Sequence, residues 1–311
     1  MSALIEVILP VFLVIGFGYV AVLRGYFSEA AIDGLMRFSQ NFAIPLLLFR
    51  AISTLDLSQG YDLGLLASYY TGSLVGFLAG MLGARFMFHR PWTDSVAIGF
   101  SALFANSVLL GLPITELAFG ADALGPNYAI VSVHAPFCYL LGITTMEVIR
   151  NRGGGITQAA RAVTLAVFRN TLMLAIGLGF IVNLTGWTLP GSVASALDLV
   201  IRAALPTALF ALGGILRRYR PEGDLTVVLW VCAISLFLHP AIALILSQQV
   251  FGLSQAMVQS AVLTAAMAPG VNSYIFASLY NSAKRVAATA VLAGTLLSVL
   301  SVTFWLWVLG A

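Results

Sequence analysis

Apolar residues run along this chain in stretches of twenty or more, and the polar residues collect in the gaps between them. A helix needs about 20 mostly apolar residues to cross a hydrocarbon core of about 30 Å. Stretches of that length, bounded by polar or Gly/Pro breaks, predict ten spanning helices: 3–23, 30–53, 63–88, 93–119, 127–149, 161–183, 191–216, 225–248, 256–280 and 286–309. The gaps alternate in charge. One set carries Arg24, then Arg85 and Arg90, then Arg150, Arg152 and Arg161, then Arg217, Arg218 and Arg220, then Lys284 and Arg285. The other set carries no Lys or Arg but has Asp56, Asp62 and Asp122. The positive-inside rule puts the basic gaps in the cytoplasm and both termini outside. That describes a multi-pass protein of the cytoplasmic (inner) membrane.

Two pairs of segments repeat at one offset. "VIGFGYV" at 14–20 resembles "AIGLGFI" at 175–181, and "FAIPLLLFRAI" at 42–52 resembles "AALPTALFALG" at 203–213; both lie 161 residues apart. The plainer account is that Gly-rich membrane helices look alike by composition. Two matches at one offset favour a repeat. The predicted halves are 1–149 and 161–311, five helices each, joined by a cytoplasmic loop at 150–160. An odd number of spans per half inserts the second half upside down, an architecture of transporters.

The ninth stretch, "AAMAPGVNSYIFASLYN" at 265–281, carries Pro269, Gly270, Asn272 and Ser273 at its centre. Proline removes a donor and clashes with the preceding turn, and polar side chains are costly in lipid. The fourth stretch carries the same kinds of residue: Asn106 and Ser107, then Gly111 and Pro113. Prolines that merely kink packed helices would explain one such span. Two interrupted spans in corresponding halves point to a binding site. Unwound backbone at membrane depth must be covered by protein or line a cavity, and each new helix start presents free N–H groups suited to an anion. Asn106 and Asn272 would add neutral hydrogen bonds.

Composition narrows the remaining classes. Of 311 residues, 60% are hydrophobic and 9% charged, against about 25% charged in soluble domains, so a soluble domain is not expected. Met1 and Ser2 lead straight into the first span without a basic segment, which argues against a cleavable signal. The net charge of +3 suggests no nucleic-acid partner. Cys138 and Cys232 fall in apolar segments and read as buried thiols. No Cys/His/carboxylate spacing suits a metal, and no H-E-x-x-H, G-x-S-x-G or phosphate loop occurs. An intramembrane enzyme would need a nucleophile or paired acids at the midplane, and a receptor would normally carry an output domain; neither is found.

Arg37, Arg50, Arg169 and Arg202 lie inside predicted spans. Intramembrane charge is functional by default, and Arg202 could lend positive potential to an anion path. The competing expectation is that Arg202 pairs with Asp198 and Arg37 with Asp33, each one turn away. Arg50 would snorkel to the outer surface. Glu116 reads as an interfacial carboxylate, and His134 and His239 as satisfied core histidines rather than a proton relay.

At these residues the chain resembles the auxin efflux carrier family, in its branch of bacterial malate- and malonate-type permeases. The resemblance rests on the Asn-containing fourth span ending in "GLP", the Pro-Gly break of the ninth, and "NFAIPLLLF" with Asn41 and Pro45 in the second. It implies an all-α fold of ten helices in two inverted repeats, the fourth and ninth broken and crossing. It implies an elevator-like carrier of small organic anions, carboxylates included, with no bound cofactor. Helices 1, 2, 6 and 7 would form a scaffold that dimerises; helices 3–5 and 8–10 would move. The expected substrate-binding set is Asn106, Ser107, Pro113, Pro269, Gly270, Asn272 and Ser273, with Asn41 and Arg202. A sodium-coupled symporter of bile-acid type is the alternative; hard cations usually take carboxylates, and none lies at the breaks.

Overall fold

The computed structural model describes residues 2–55, 57, 61–150, 164, 171–219 and 224–310, with side chains from Glu6 onward. Within them the chain is helical and no strand forms. Most of the expected cytoplasmic loop at 150–160, much of the sixth predicted span with Arg169, and Asp56 and Arg220 lie outside the described residues.

The helices, in chain order, are α1 (Ser2–Leu23), α2 (Glu29–Phe38), α3 (Ile44–Thr54), α4 (Leu63–Phe86), α5 (Trp92–Leu103), α6 (Leu112–Phe119) and α7 (Leu124–Arg150). There follow α8 (Thr171–Thr185), α9 (Gly191–Leu216), α10 (Leu225–Ala233), α11 (His239–Ile245), α12 (Gln255–Ala265), α13 (Val271–Leu279) and α14 (Lys284–Val308). Several starts are capped as the sequence dictates. Ser28 and Asp62 accept from the amides of Ala31 and Leu65 at 3.1 and 2.9 Å, which satisfies donors that a helix start otherwise leaves open.

Six continuous helical stretches among the described residues are long and apolar enough to cross a membrane: Glu6–Leu23, Leu63–Phe86, Ala121–Arg150, Gly191–Leu216, Leu225–Val250 and Lys284–Val308. The chain is thus an all-helical, multi-pass membrane protein. The other predicted spans fall on shorter or interrupted pieces, among them Ser107–Phe119 and Thr171–Thr185.

Two compact units divide the chain. One comprises Met1–Ile8, Tyr61–Thr164 and Tyr219–Ala311; the other comprises Leu9–Gly60 and Leu165–Arg218. In the second unit small residues let backbones approach closely. A methyl on Gly18 would meet the backbone oxygen of Phe210, and one on Gly179 would meet that of Phe49 at 2.9 Å. Gly18 and Gly179 are 161 positions apart, and so are Phe49 and Phe210. Asn183 ties α8 to the end of α3 by donating to Ile52 O and Leu55 O at 2.9 and 2.8 Å.

The ion pairs of this unit differ from the expected ones. Asp198 pairs with Arg50 at 3.6 Å, not with Arg202. Asp33 accepts from Arg218 at 2.7 Å, not from Arg37. A partner one turn away on the same helix offers only a few tenths of a kcal/mol, so a partner brought up by another helix displaces it. Arg37 and Arg202 are exposed. Cys138 and Cys232 are free, buried thiols.

Candidate substrate-binding site

In the first unit, two openings in the helices meet. Helix α5 ends at Leu103, Phe104 and Asn106 leave helical geometry at ψ 86° and 55°, and helical structure resumes at Ser107. Helix α12 ends at Ala265, and α13 begins after Gly270, whose extended backbone (ψ 159°) places it at the N-cap. Ala105 and Pro269 then face each other as an antiparallel bridge. Asn106 N donates to Ala268 O at 2.8 Å, and Gly270 N donates to Phe104 O at 2.8 Å. The two openings therefore satisfy part of each other's backbone, as buried backbone must.

Side chains complete the acceptor side. Ser235 Oγ donates to Met267 O at 3.1 Å. His134 Nε2 lies 3.2 Å from Ala105 O, and a carbonyl can only accept, so Nε2 carries the hydrogen. Phe104 O, Ala105 O, Met267 O and Ala268 O thus each receive a donor.

The donors are in the opposite condition. Asn106 Nδ2 and Ser273 Oγ are buried without a hydrogen-bond partner, although Asn106 is only 5% exposed and Ser273 fully buried. A buried polar group without a partner costs about 1–3 kcal/mol, so a native protein keeps one for a reason. Asn272, in the first turn of α13, is partly exposed. The amides of Val271 and Asn272 precede the first local bond of that turn, Ser273 N to Gly270 O at 2.9 Å. Ser107 is buried at the start of the other resumed helix, whose first local bonds run from Leu110 and Gly111 to Asn106 O. The place where the two openings meet thus presents unpartnered Asn106 Nδ2 and Ser273 Oγ beside four carbonyls that each already have a donor.

Pro113 and Gly111 do not open the fourth predicted span. The chain leaves helical geometry before Asn106, then runs through Gly111 as a π turn and on through Pro113 in the first turn of α6. Pro269 and Gly270 do lie between the helices ending at Ala265 and starting at Val271, in the ninth predicted span. Pro269 is wedged by α14, where a methyl on Gly294 would come within 2.6 Å of its Cδ. Phe100 stacks on Phe276 at 4.0 Å, joining the segments that flank the crossing. Asn41 and Arg202 belong to the other unit, and both are exposed.

Three residues around the crossing were not legible in sequence: Ser235, Tyr69 and the role of His134. Each sits in an apolar helix whose pattern carries no sign of a distant partner. Tyr69 lies between both histidines, with ring centroids 5.7 Å from His134 and 4.8 Å from His239.

An all-helical membrane protein with two helices opened against each other has the features of a membrane transporter. Residues 3–306 match the family model described as membrane transport protein. The chain belongs to that family, the auxin efflux carriers. It is similar to a Rhizobium meliloti (strain 1021) protein named "Putative malonate transporter", 25% identical over 99% of this chain and 97% of that protein. It is also similar to an "Uncharacterized transporter" of Methanothermobacter thermautotrophicus, 32% identical over 67% of this chain and 66% of that protein. The protein is a transporter rather than an enzyme.

Proposed function

We propose that this protein is a carrier of small organic anions, carboxylates of malonate's size among them, and that the anion binds at the crossing of the two openings. The observation that carries the reading is the imbalance of hydrogen bonding there. Four carbonyls of the openings have donors, while Asn106 Nδ2 and Ser273 Oγ have no acceptor. A carboxylate supplies only acceptors. Asn272 and the first-turn amides of α13 add donors and the positive end of a helix dipole. Ser107 and the backbone around Pro113, Pro269 and Gly270 shape the site. The name of the Rhizobium relative supports the substrate class.

In this reading the chain crosses the membrane ten times, in two inverted halves, with the fourth and ninth spans broken at mid-membrane. The Gly18–Phe210 and Gly179–Phe49 approaches, related by the 161-residue offset, support the repeat. The crossing is itself symmetric, since shifting Asn106 N→Ala268 O by 164 residues gives Gly270 N→Phe104 O. The unit that holds the crossing would carry the anion across. The other unit, with Asn41 and Arg202, would be the stationary scaffold and dimer surface. Sodium coupling fits less well, because a cation would compete with N–H and O–H donors for the same carbonyls.

Calorimetric binding of acetate, malonate and succinate to wild type and Asn106→Ala tests the site. A donor to a charged acceptor contributes about 1.5–3 kcal/mol. Asn106→Ala should therefore weaken malonate about tenfold to a hundredfold, with little loss of thermal stability because Nδ2 has no protein partner to lose. Equal affinity in the two proteins would sink the assignment.

A further inference from the structure

We infer that one proton enters with each anion and that His134 holds it; this rests on the anion reading of the crossing. His134 is 3% exposed and touches the crossing directly, through Nε2 and Ala105 O at 3.2 Å. With the hydrogen fixed on Nε2, Nδ1 is a bare acceptor, and Tyr69 O–H donates to it from 3.3 Å. That arrangement is the neutral imidazole. Proton entry changes it in one place: Nδ1 gains a hydrogen, Tyr69 becomes the acceptor, and its hydroxyl hydrogen turns away. Ser73, one turn along α4 and in side-chain hydrogen-bond contact with Tyr69, can accept it, and its Oγ also lies 3.3 Å from His239 Nε2.

The groups about His134 decide what charge it can carry. From α4 comes Tyr69. From its own helix comes Cys138, at 3.7 Å. Phe104 packs from the opening itself, ring centroid at 4.8 Å. Beyond Tyr69 stands His239 of α11, whose Nε2 lies 3.1 Å from Tyr69 O and therefore also carries its hydrogen. None of these is a carboxylate, so among the described residues no contact supplies a counter-charge to an imidazolium at 134. An anion on Asn106, the residue after Ala105, supplies it, and charges in a low-dielectric interior interact strongly. Anion and proton then bind cooperatively, each raising the affinity for the other by the same factor. The proton comes from the aqueous phase on the side the site faces and leaves with the anion. His239 offers a competing acceptor, because its Nδ1 is buried without a partner.

The test is proton uptake on binding malonate at about pH 7.5, read by calorimetry in two buffers of different ionisation heat. His134→Gln cannot take up a proton, and its amide N–H can still donate to Ala105 O in place of Nε2. Wild type should take up one proton per malonate and His134→Gln none, with malonate still bound more weakly. Wild-type affinity should fall with rising pH, by up to tenfold per unit, while the variant's stays flat. Malonate binding without proton uptake in wild type would overturn the proton and leave the anion reading standing. Uptake that survives in His134→Gln, or disappears only in His239→Gln, would overturn the assignment to His134. No malonate binding by wild type would overturn both readings. If His134→Gln does not fold, Tyr69→Phe decides: freeing Nδ1 should move the pH dependence of malonate binding to higher pH, and an unmoved profile would overturn the role of His134.

Discussion

Prolines interrupt this chain in two ways, and the contrast explains where the helices open. Pro45, Pro113 and Pro240 each follow a five-residue π turn: Ser39–Ala43, Ser107–Gly111 and Ile234–Leu238. In each, the residue before the proline donates to the oxygen five residues back: Ile44 to Ser39, Leu112 to Ser107, His239 to Ile234. The widened turn accommodates the missing N–H and the ring clash, so the helix continues. Pro136 and Pro206 lie inside α-helices. At Pro269 the helix opens instead, and the backbone there pairs with another opening. Proline alone does not unwind a helix here. Opening occurs where a second segment receives the freed backbone groups.

The sharpest way to break this contrast is to push Pro269 out of place. Gly294→Val should abolish folding or uptake, measured as folded yield and transport, because overpacking a tight site costs about 1–3 kcal/mol or more and even a methyl on Gly294 comes within 2.6 Å of Pro269 Cδ. Gly34→Ala, where a methyl meets nothing within 4 Å, should be neutral or slightly stabilising in the same assays.

A smaller effect is expected where a π turn frees a carbonyl. Leu236 is four residues before Pro240, and its oxygen accepts from Trp305 Nε1 at 2.8 Å. Trp305→Phe should cost about 1–3 kcal/mol by leaving that oxygen buried and unpaired, read as a lowered melting temperature. Adding Pro240→Ala should recover part of the loss, since the restored N–H can reach Leu236 O. If the double variant is no better than the single, the π turn does not serve to absorb the proline.

Pro45→Ala should change stability by no more than about 1 kcal/mol, because its π turn leaves no opening to close. Its uptake should stay near wild type, whereas Pro269→Ala should depress uptake. Equal losses from the two would dissolve the distinction.

The smallest effect concerns the margin of the unit that holds Pro269. Asp224 caps α10 by accepting from Thr226 N and pairs with Arg90 at 2.8 Å. Bonds from Thr226 first, and then Arg90, hold its carboxyl below the usual carboxylate range. A depressed carboxylate stabilises the fold above its unfolded value, and that contribution fades as pH falls through the folded value. Asp224→Asn should therefore lower the melting temperature slightly at neutral pH. Wild type and variant should converge in acid strong enough to protonate Asp224. A gap that persists there would mean that the charge is not what matters.

Much of the architecture is legible along the chain because lipid leaves few choices. Long apolar stretches must be helical, and the spans at 63–88, 191–216 and 286–309 end within a few residues of α4, α9 and α14. The polar, breaker-rich centres at Asn106–Ser107 and Pro269–Ser273 also stand out. Tertiary packing decided the rest. The same proline that opens one span is absorbed in another, depending on what faces it. Asp198 takes Arg50 rather than the nearer Arg202, and Asp33 takes Arg218, 185 residues away. His134 and His239 look unrelated in sequence, yet both close on Tyr69. The apolar pattern is local and set by the solvent, so the sequence alone determines it. Which polar group meets which is a contact between distant segments, so only the folded chain decides it.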